Sequence, residues 1–304
     1  MSQPAHTLVQ ASLLADALAL PAHWCYDQGA IASQWGRLAD LQAPPAGSYH
    51  AAQPLGGHTH YGAQALLLLE AVAAAGGRFE ATAWAEAWRA YWAGEPTSYV
   101  DGATRQTLAN LAAGAAPLAA GSPSSDWGGA ARGAAVVAAT LDAPEDVAVA
   151  AARAQTEVTH RDPLVAEGAA FWTRAVRAVA SGQAVPDALA AAAEAGYTAL
   201  PAQAMLAAAR EAAMRGAEAA VASLGAACGI SGALPATMAV ALAHPADLEG
   251  ALIANVMAGG DSAARGLALG MLLGAAPGVR LPDRWLAAWA ARPRAEAALA
   301  WLGA

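Results

Sequence analysis

The residues able to act on a ligand sit in five segments where polar residues or glycines interrupt an alanine-rich chain: 15–24, 56–62, 121–132, 159–163 and 258–264. His23 and His60 fall in the first two. Imidazole titrates near neutral pH, so both suit proton transfer or ligand contact, although a buried histidine that is merely hydrogen-bonded satisfies the same pattern. Thr59 adds a hydroxyl that could orient a substrate. Asp261 follows Gly259 and Gly260, which let a ligand approach the backbone, and precedes an apolar helix. An aspartate there is also a natural helix cap, with Ser262 competing for the position. In the third segment Ser122, Ser124, Ser125 and Asp126 precede Gly128 and Gly129. Amides at a glycine-rich helix start suit a phosphate, and an ordinary surface turn uses the same residues. His160 reads equally as a ligand contact and as a helix-terminal cap. Trp24 and Trp127 lie inside motifs and could stack a ring, whereas Trp84, Trp88 and Trp92 share one helical face and read as core. Tyr99 and Asp101 mark a loop that could border the same pocket.

In this order the five segments resemble the ADP-ribosylglycohydrolase family, particularly its branch related to J1 crystallin, from about Val9 to Trp285. The resemblance implies a compact orthogonal helical bundle. In its metal-dependent members two magnesium ions assist cleavage of the bond joining ADP-ribose to a side chain or another leaving group. It also implies that 121–131 faces the diphosphate and ribose, that His160 lies toward the adenosine, and that Trp24, Gly259, Gly260 and Ser262 line the ligand. Several motif positions depart from the family's pattern. The family's early glutamate, counted seven residues from Asp16, is His23. Its Thr-Asp-Asp reads Thr59-His60-Tyr61, and its Gly-Gly-Asp-Thr-Asp-Thr reads Gly259-Gly260-Asp261-Ser262-Ala263-Ala264. Magnesium requires several oxygen ligands, so the degenerate motifs predict no metal pair and no cofactor. A single transition metal at His23, His60 and Asp261 is the lesser alternative. The expected protein is a hydrolase acting on a glycosidic or related bond of an ADP-ribose-like or smaller nucleoside-type ligand. Asp261 would act as base or electrostatic stabiliser, His60 or His23 as acid, and Thr59 as orienting hydroxyl. A non-catalytic ligand-binding or structural, crystallin-like member is the alternative.

The elements that must carry these residues read as helices. Runs rich in Ala, Leu, Glu and Arg predict helices at 65–75, 81–93, 103–113, 145–155, 164–180, 202–223 and 246–257. Alternating β-branched and aromatic runs are nearly absent, so the prediction is all-α, with one domain over 1–304 and no internal repeat. At 57% hydrophobic and 13% charged, the chain has the composition of a folded core rather than of a disordered segment. A formal charge of -8 disfavours a nucleic-acid surface. The partner that the resemblance implies is a small-molecule or ADP-ribosylated substrate. The uncharged stretch 219–243 is long enough to span a bilayer, but Gly225, Gly229, Ser231, Gly232 and Pro235 should break it into a helix-loop-helix. Two distant cysteines and the lack of a basic N-terminal region point to a cytoplasmic protein.

Overall fold

The alanine-rich runs are helical in a computed structural model, which describes residues 3–94 and 96–303. The first helices are α1 (Gln3–Ala19), α2 (Gln28–Trp35), α3 (His60–Ala74), α4 (Ala81–Ala93), α5 (Gly102–Ala112) and α6 (Gly128–Ala131). Next come α7 (Ala134–Ala139), α8 (Glu145–Glu157), α9 (Pro163–Ala180), α10 (Val185–Ala193), α11 (Ala202–Ala213) and α12 (Ala217–Leu224). The last are α13 (Ile230–Ala243), α14 (Leu248–Met257), α15 (Ser262–Gly274), α16 (Asp283–Ala288) and α17 (Arg292–Leu299). No strand forms among the described residues. Two isolated bridges, Ser122 with His160 and Asp126 with Gly229, tie loops together. No described helix is long and apolar enough to cross a membrane.

Two boundaries differ from the sequence reading. The expected helix 202–223 is split into α11 and α12 because Gly216 adopts a φ of 88°, which ends one helix before the next begins. The break foreseen across 225–235 is confined to the loop after α12; Ser231, Gly232 and Pro235 lie within α13. As the spacing predicts, Trp84, Trp88 and Trp92 are buried on one face of α4.

The centre of the fold is the antiparallel crossing of α1 and α15. Every residue of α15 is buried, as are nearly all of α1. Gly266, Gly270 and Gly274 recur four apart, so they line one face of α15. A Cβ at Gly266 would lie 3.1 Å from the Ala15 carbonyl oxygen, one at Gly270 only 2.3 Å from that of Ala11, and one at Gly274 2.5 Å from the Ala11 Cβ. The two backbones therefore touch where any side chain would hold them apart. This contact places Asp16, near the end of α1, and Asp261, at the start of α15, at the same end of the crossing.

Candidate functional site

Asp16 is fully buried and accepts four hydrogen bonds. They come from His58 Nδ1 (2.9 Å), the Thr59 amide (2.9 Å), the Thr59 hydroxyl (2.5 Å) and the Gly62 amide (3.1 Å). The Trp289 indole N–H donates to His58 Nε2, which fixes the other ring nitrogen as the donor to Asp16. Burial alone would raise the Asp16 pKa, but the His58 and Thr59 hydrogen bonds outweigh it and hold the carboxyl below its usual range. A Cβ at Gly62 would fall 2.0 Å from Asp16 Oδ1, so the glycine makes room for the carboxylate against α3. Asp16 thus pins the start of α3, and Thr59 caps the same helix by accepting from the Tyr61 amide.

Because α3 starts at this anchor, its first residue, His60, is set beside two other imidazoles. His50 Nε2 lies 3.2 Å from His60 Nδ1, and candidate ligand nitrogens of His23, His50 and His60 lie within 4.8 Å of one another. On the far side of His60, Nε2 lies 3.4 Å from Asp101 Oδ2; the other Asp101 oxygen caps α5 at the Thr104 amide. His23 Nδ1 lies 3.7 Å from Asp261 Oδ1 and 3.4 Å from the Ala263 amide, and its Nε2 has no partner. Burial pushes the His50 and His60 imidazoles down to about 4, and drives His23 well below its usual value with help from the other two rings. All three are neutral at pH 7.

Asp261 occupies the capping position of α15 but caps nothing. Both carboxyl oxygens are buried without a hydrogen-bond partner, and so is the Ser262 hydroxyl. Burial, reinforced by the neighbouring Asp126 and opposed in part by the Arg265 charge, pushes the Asp261 carboxyl well above its usual pKa. Gly259 and Gly260 have φ of 72° and 65° and bring this loop against the Cys25 and Ala226 carbonyls. Trp24, the one non-glycine at positive φ among the described residues, donates its amide to the Gly260 carbonyl at 2.8 Å. Its ring then packs against His23, His60, Tyr49 and Tyr99, and Tyr49 and Tyr99 meet edge to face at 5.1 Å. Tyr49 is 66% exposed, so this trio runs from the histidines out to solvent.

The 121–131 segment is engaged internally. Ser122 Oγ donates to the Thr159 carbonyl, Ser124 Oγ accepts from the Asp126 amide, and the Gly128 amide donates to Asp126 Oδ1 at 2.7 Å. Ser125 is exposed, and its carbonyl receives the Ile230 amide. The Tyr61 hydroxyl donates to Asp126 Oδ2 at 2.8 Å. Burial, opposed in part by the Gly128 hydrogen bond, pushes Asp126 up to about 6. Gly128 and Gly129 are glycines because Tyr61 and His160 occupy the space a Cβ would need, 2.1 Å and 2.4 Å away. His160 packs beside Thr159 and Arg132, with burial holding its ring down to about 3. Trp127 is wholly buried against Trp172, so it belongs to the core and not to the pocket that its motif suggested.

The fold therefore gathers His23, His60, Asp261, Trp24 and, through Tyr61, Asp126. It leaves His160 and Ser122 in a separate buried patch behind Gly129. Sequence reasoning missed His50, which lies in a turn-rich loop outside every motif; the pair Tyr49-His50 in a proline- and glycine-rich stretch was its only signal. Cys228 was missed as well. Burial, with Asp126 and Asp261 nearby, pushes its thiol up to about 12, which removes it as a nucleophile. The donors that face one another do not suit a magnesium pair, which needs several charged oxygens. Three are imidazoles, Asp261 is a single carboxyl whose charged form burial disfavours, and Asp101 and Asp126 already accept hydrogen bonds at the helix starts they border.

The helical arrangement is that of known ADP-ribosylglycohydrolase-type structures. It is similar to a solved structure titled "ADP-ribosylglycohydrolase-related protein complex", with a TM-score of 0.73 and 23% identity over 98% of this chain and 96% of that one, a likeness that defines the fold. No curated protein matches the sequence. Residues 5–303 match the family model described as ADP-ribosylglycohydrolase, and the chain belongs to that family.

Proposed function

We propose that this protein is a hydrolase that cleaves a glycosidic bond of an ADP-ribose-like or smaller nucleoside-type ligand without a magnesium pair. The observation that carries the reading is Asp261: a buried, unpartnered carboxyl, its pKa raised by burial, 3.7 Å from a neutral imidazole whose outer nitrogen is also unpartnered. The roles anticipated from sequence are then exchanged. Asp261 donates its proton to the leaving nitrogen or oxygen as the bond to the anomeric carbon breaks. His23 Nε2 takes a proton from the water that adds to that carbon when the ring carries its hydrogen on Nδ1, which requires that Nδ1 give up the hydrogen bond it accepts from the Ala263 amide. A neutral acid beside a neutral base is the arrangement that acid–base catalysis near pH 7 requires. His60, held between His50 and Asp101, fixes the cluster, and Thr59 acts through Asp16 rather than on the ligand. Trp24, Tyr49 and Tyr99 offer flat faces on which a base or ring could stack.

The test is release of free ADP-ribose from peptides modified through arginine or through serine, with chelator present and again with magnesium. Release in chelator, lowered at least about 100-fold by Asp261→Asn, is the expected result, the usual scale for loss of a general acid. Release that appears only with magnesium would refute the mechanism.

One observation favours a second reading, a non-catalytic ligand-binding or crystallin-like structural role. The groups expected to hold a diphosphate, Ser122, Ser124 and the Gly128 amide, already bond within the protein. Saturable binding of ADP-ribose without turnover would select it.

A further inference from the structure

We propose that His23, His50 and His60 form a binding site for one borderline divalent transition ion, of which zinc is the type, with Asp101 and Asp261 as outer carboxylates. The inference goes beyond the hydrolytic reading and is tested separately, because occupancy is measured without turnover; an ion bound at His23 Nε2 takes the lone pair that reading uses as base, so the two describe the metal-bound and the metal-free protein. It also differs from the ligand set foreseen from sequence, in which Asp261 was the third ligand and His50 had no part.

The argument begins with spacing. Bonds of about 2.0–2.1 Å to a tetrahedral ion set neighbouring nitrogens about 3.3 Å apart. His50 Nε2 and His60 Nδ1 are already 3.2 Å apart, and the third imidazole is within 4.8 Å. Each ring must turn slightly off the present N···N line to aim its lone pair at a common point, and His23 must close in. The three rings come from different parts of the chain. His23 follows α1, His50 lies in the loop before α3, and His60 opens α3. No local turn or cap requires them to converge.

The second strand is the set of carboxylates behind the rings. A metal-bound imidazole usually donates its other N–H to a carboxylate or carbonyl, which fixes the tautomer. If His60 binds through Nδ1, its Nε2, which has no hydrogen-bond partner at present, lies 3.4 Å from Asp101 Oδ2. If His23 binds through its unpartnered Nε2, its Nδ1–H faces Asp261 Oδ1, 3.7 Å away. Two of the three ligands therefore have a carboxyl group near enough to become the partner such a site uses. Imidazole nitrogen selects zinc, copper, nickel or cobalt over magnesium. Three protein ligands leave a fourth position open, the arrangement in which such an ion activates water.

The experiment uses the full chain, stripped with chelator and then titrated separately with Zn²⁺, Co²⁺ and Mg²⁺. We expect one Zn²⁺ or Co²⁺ per chain, a raised melting temperature with Zn²⁺ and none with Mg²⁺ at equal concentration, and visible absorption from bound Co²⁺. His50→Ala should weaken binding at least about 100-fold, and Asp101→Asn about 10- to 100-fold, the range for an outer partner. Melting curves of the metal-free variants establish that they fold. Nitrogen hyperfine splittings from Cu²⁺ bound to the unmodified protein count the coordinated imidazoles with no variant at all. Substoichiometric binding, fewer than three coordinated nitrogens, or wild-type affinity in folded His50→Ala would overturn the proposal. Failure of the hydrolytic assay would leave each of these readouts unchanged.

Discussion

Asp16 and Asp261 are both fully buried aspartates at one end of the α1–α15 crossing, yet their surroundings are opposite. Asp16 accepts four hydrogen bonds, and its pKa is lowered; Asp261 accepts none, and its pKa is raised. Burial is common to both, so burial does not separate structure from function here. The partner set does. A carboxylate surrounded by donors holds a helix in place, whereas one left without donors has a position that only an absent ligand or a proton rationalises.

The widest test of this contrast is removal of the anchor. Asp16→Ala leaves the Thr59 hydroxyl, two amides and the His58 N–H facing a cavity, and should cost about 3–5 kcal/mol, as when one partner of a buried charge network is deleted. Chemical denaturation measures it, and a cost below about 1 kcal/mol would show that Asp16 is not the anchor. Gly62→Ala probes the same contact from the other side. Its methyl group would press on Asp16 Oδ1, and overpacking of this kind costs about 1–3 kcal/mol. Asp261→Asn should leave stability unchanged or raise it by up to about 2 kcal/mol, because an unpartnered group at a functional site is a stability defect. Equal destabilisation by Asp261→Asn and Asp16→Ala would abolish the distinction between the two sites.

The smallest effect is a divergence with pH, and its sign differs between the two residues. The folded pKa of Asp261 is raised, so its contribution is present below the unfolded value near 3.8 and is lost as pH climbs through the folded value. The melting temperature of Asp261→Asn should therefore gain on the wild type as pH rises above 4. The folded pKa of Asp16 is lowered, so its contribution is present above 3.8 and is lost as pH falls through the folded value. The deficit of Asp16→Asn should accordingly shrink on acidification. Parallel melting profiles from pH 3 to 8 would contradict both assignments.

The helical class was legible from the alanine and leucine runs because helix propensity accumulates over long windows. His23, His60 and Asp261 stood out because they interrupt that background near glycines. The rest escaped for physical reasons. Asp16 served only as a counting anchor, since nothing local shows that four donors from the His58–Gly62 segment converge on it. His50 contributes through a contact between loops. Gly128 and Gly129 look like an anion cradle, because the absence of a side chain is the same signal whether the space serves a phosphate or the rings of Tyr61 and His160. The break at Gly216 was passed over because alanine and glutamate flank it on both sides, and only its positive φ ends the helix.

The glycine face of α15 bears on how this gene can change. Glycine and alanine codons differ by a single base at the second position, and the chain is already saturated with alanine. The commonest residue of the protein is therefore one nucleotide away at Gly266, Gly270 and Gly274. At Gly270 it would force the backbone away from Ala11, and with it the spacing between the two aspartates. Drift toward alanine meets a limit along this line of contact, as it does at Gly62, Gly128 and Gly129.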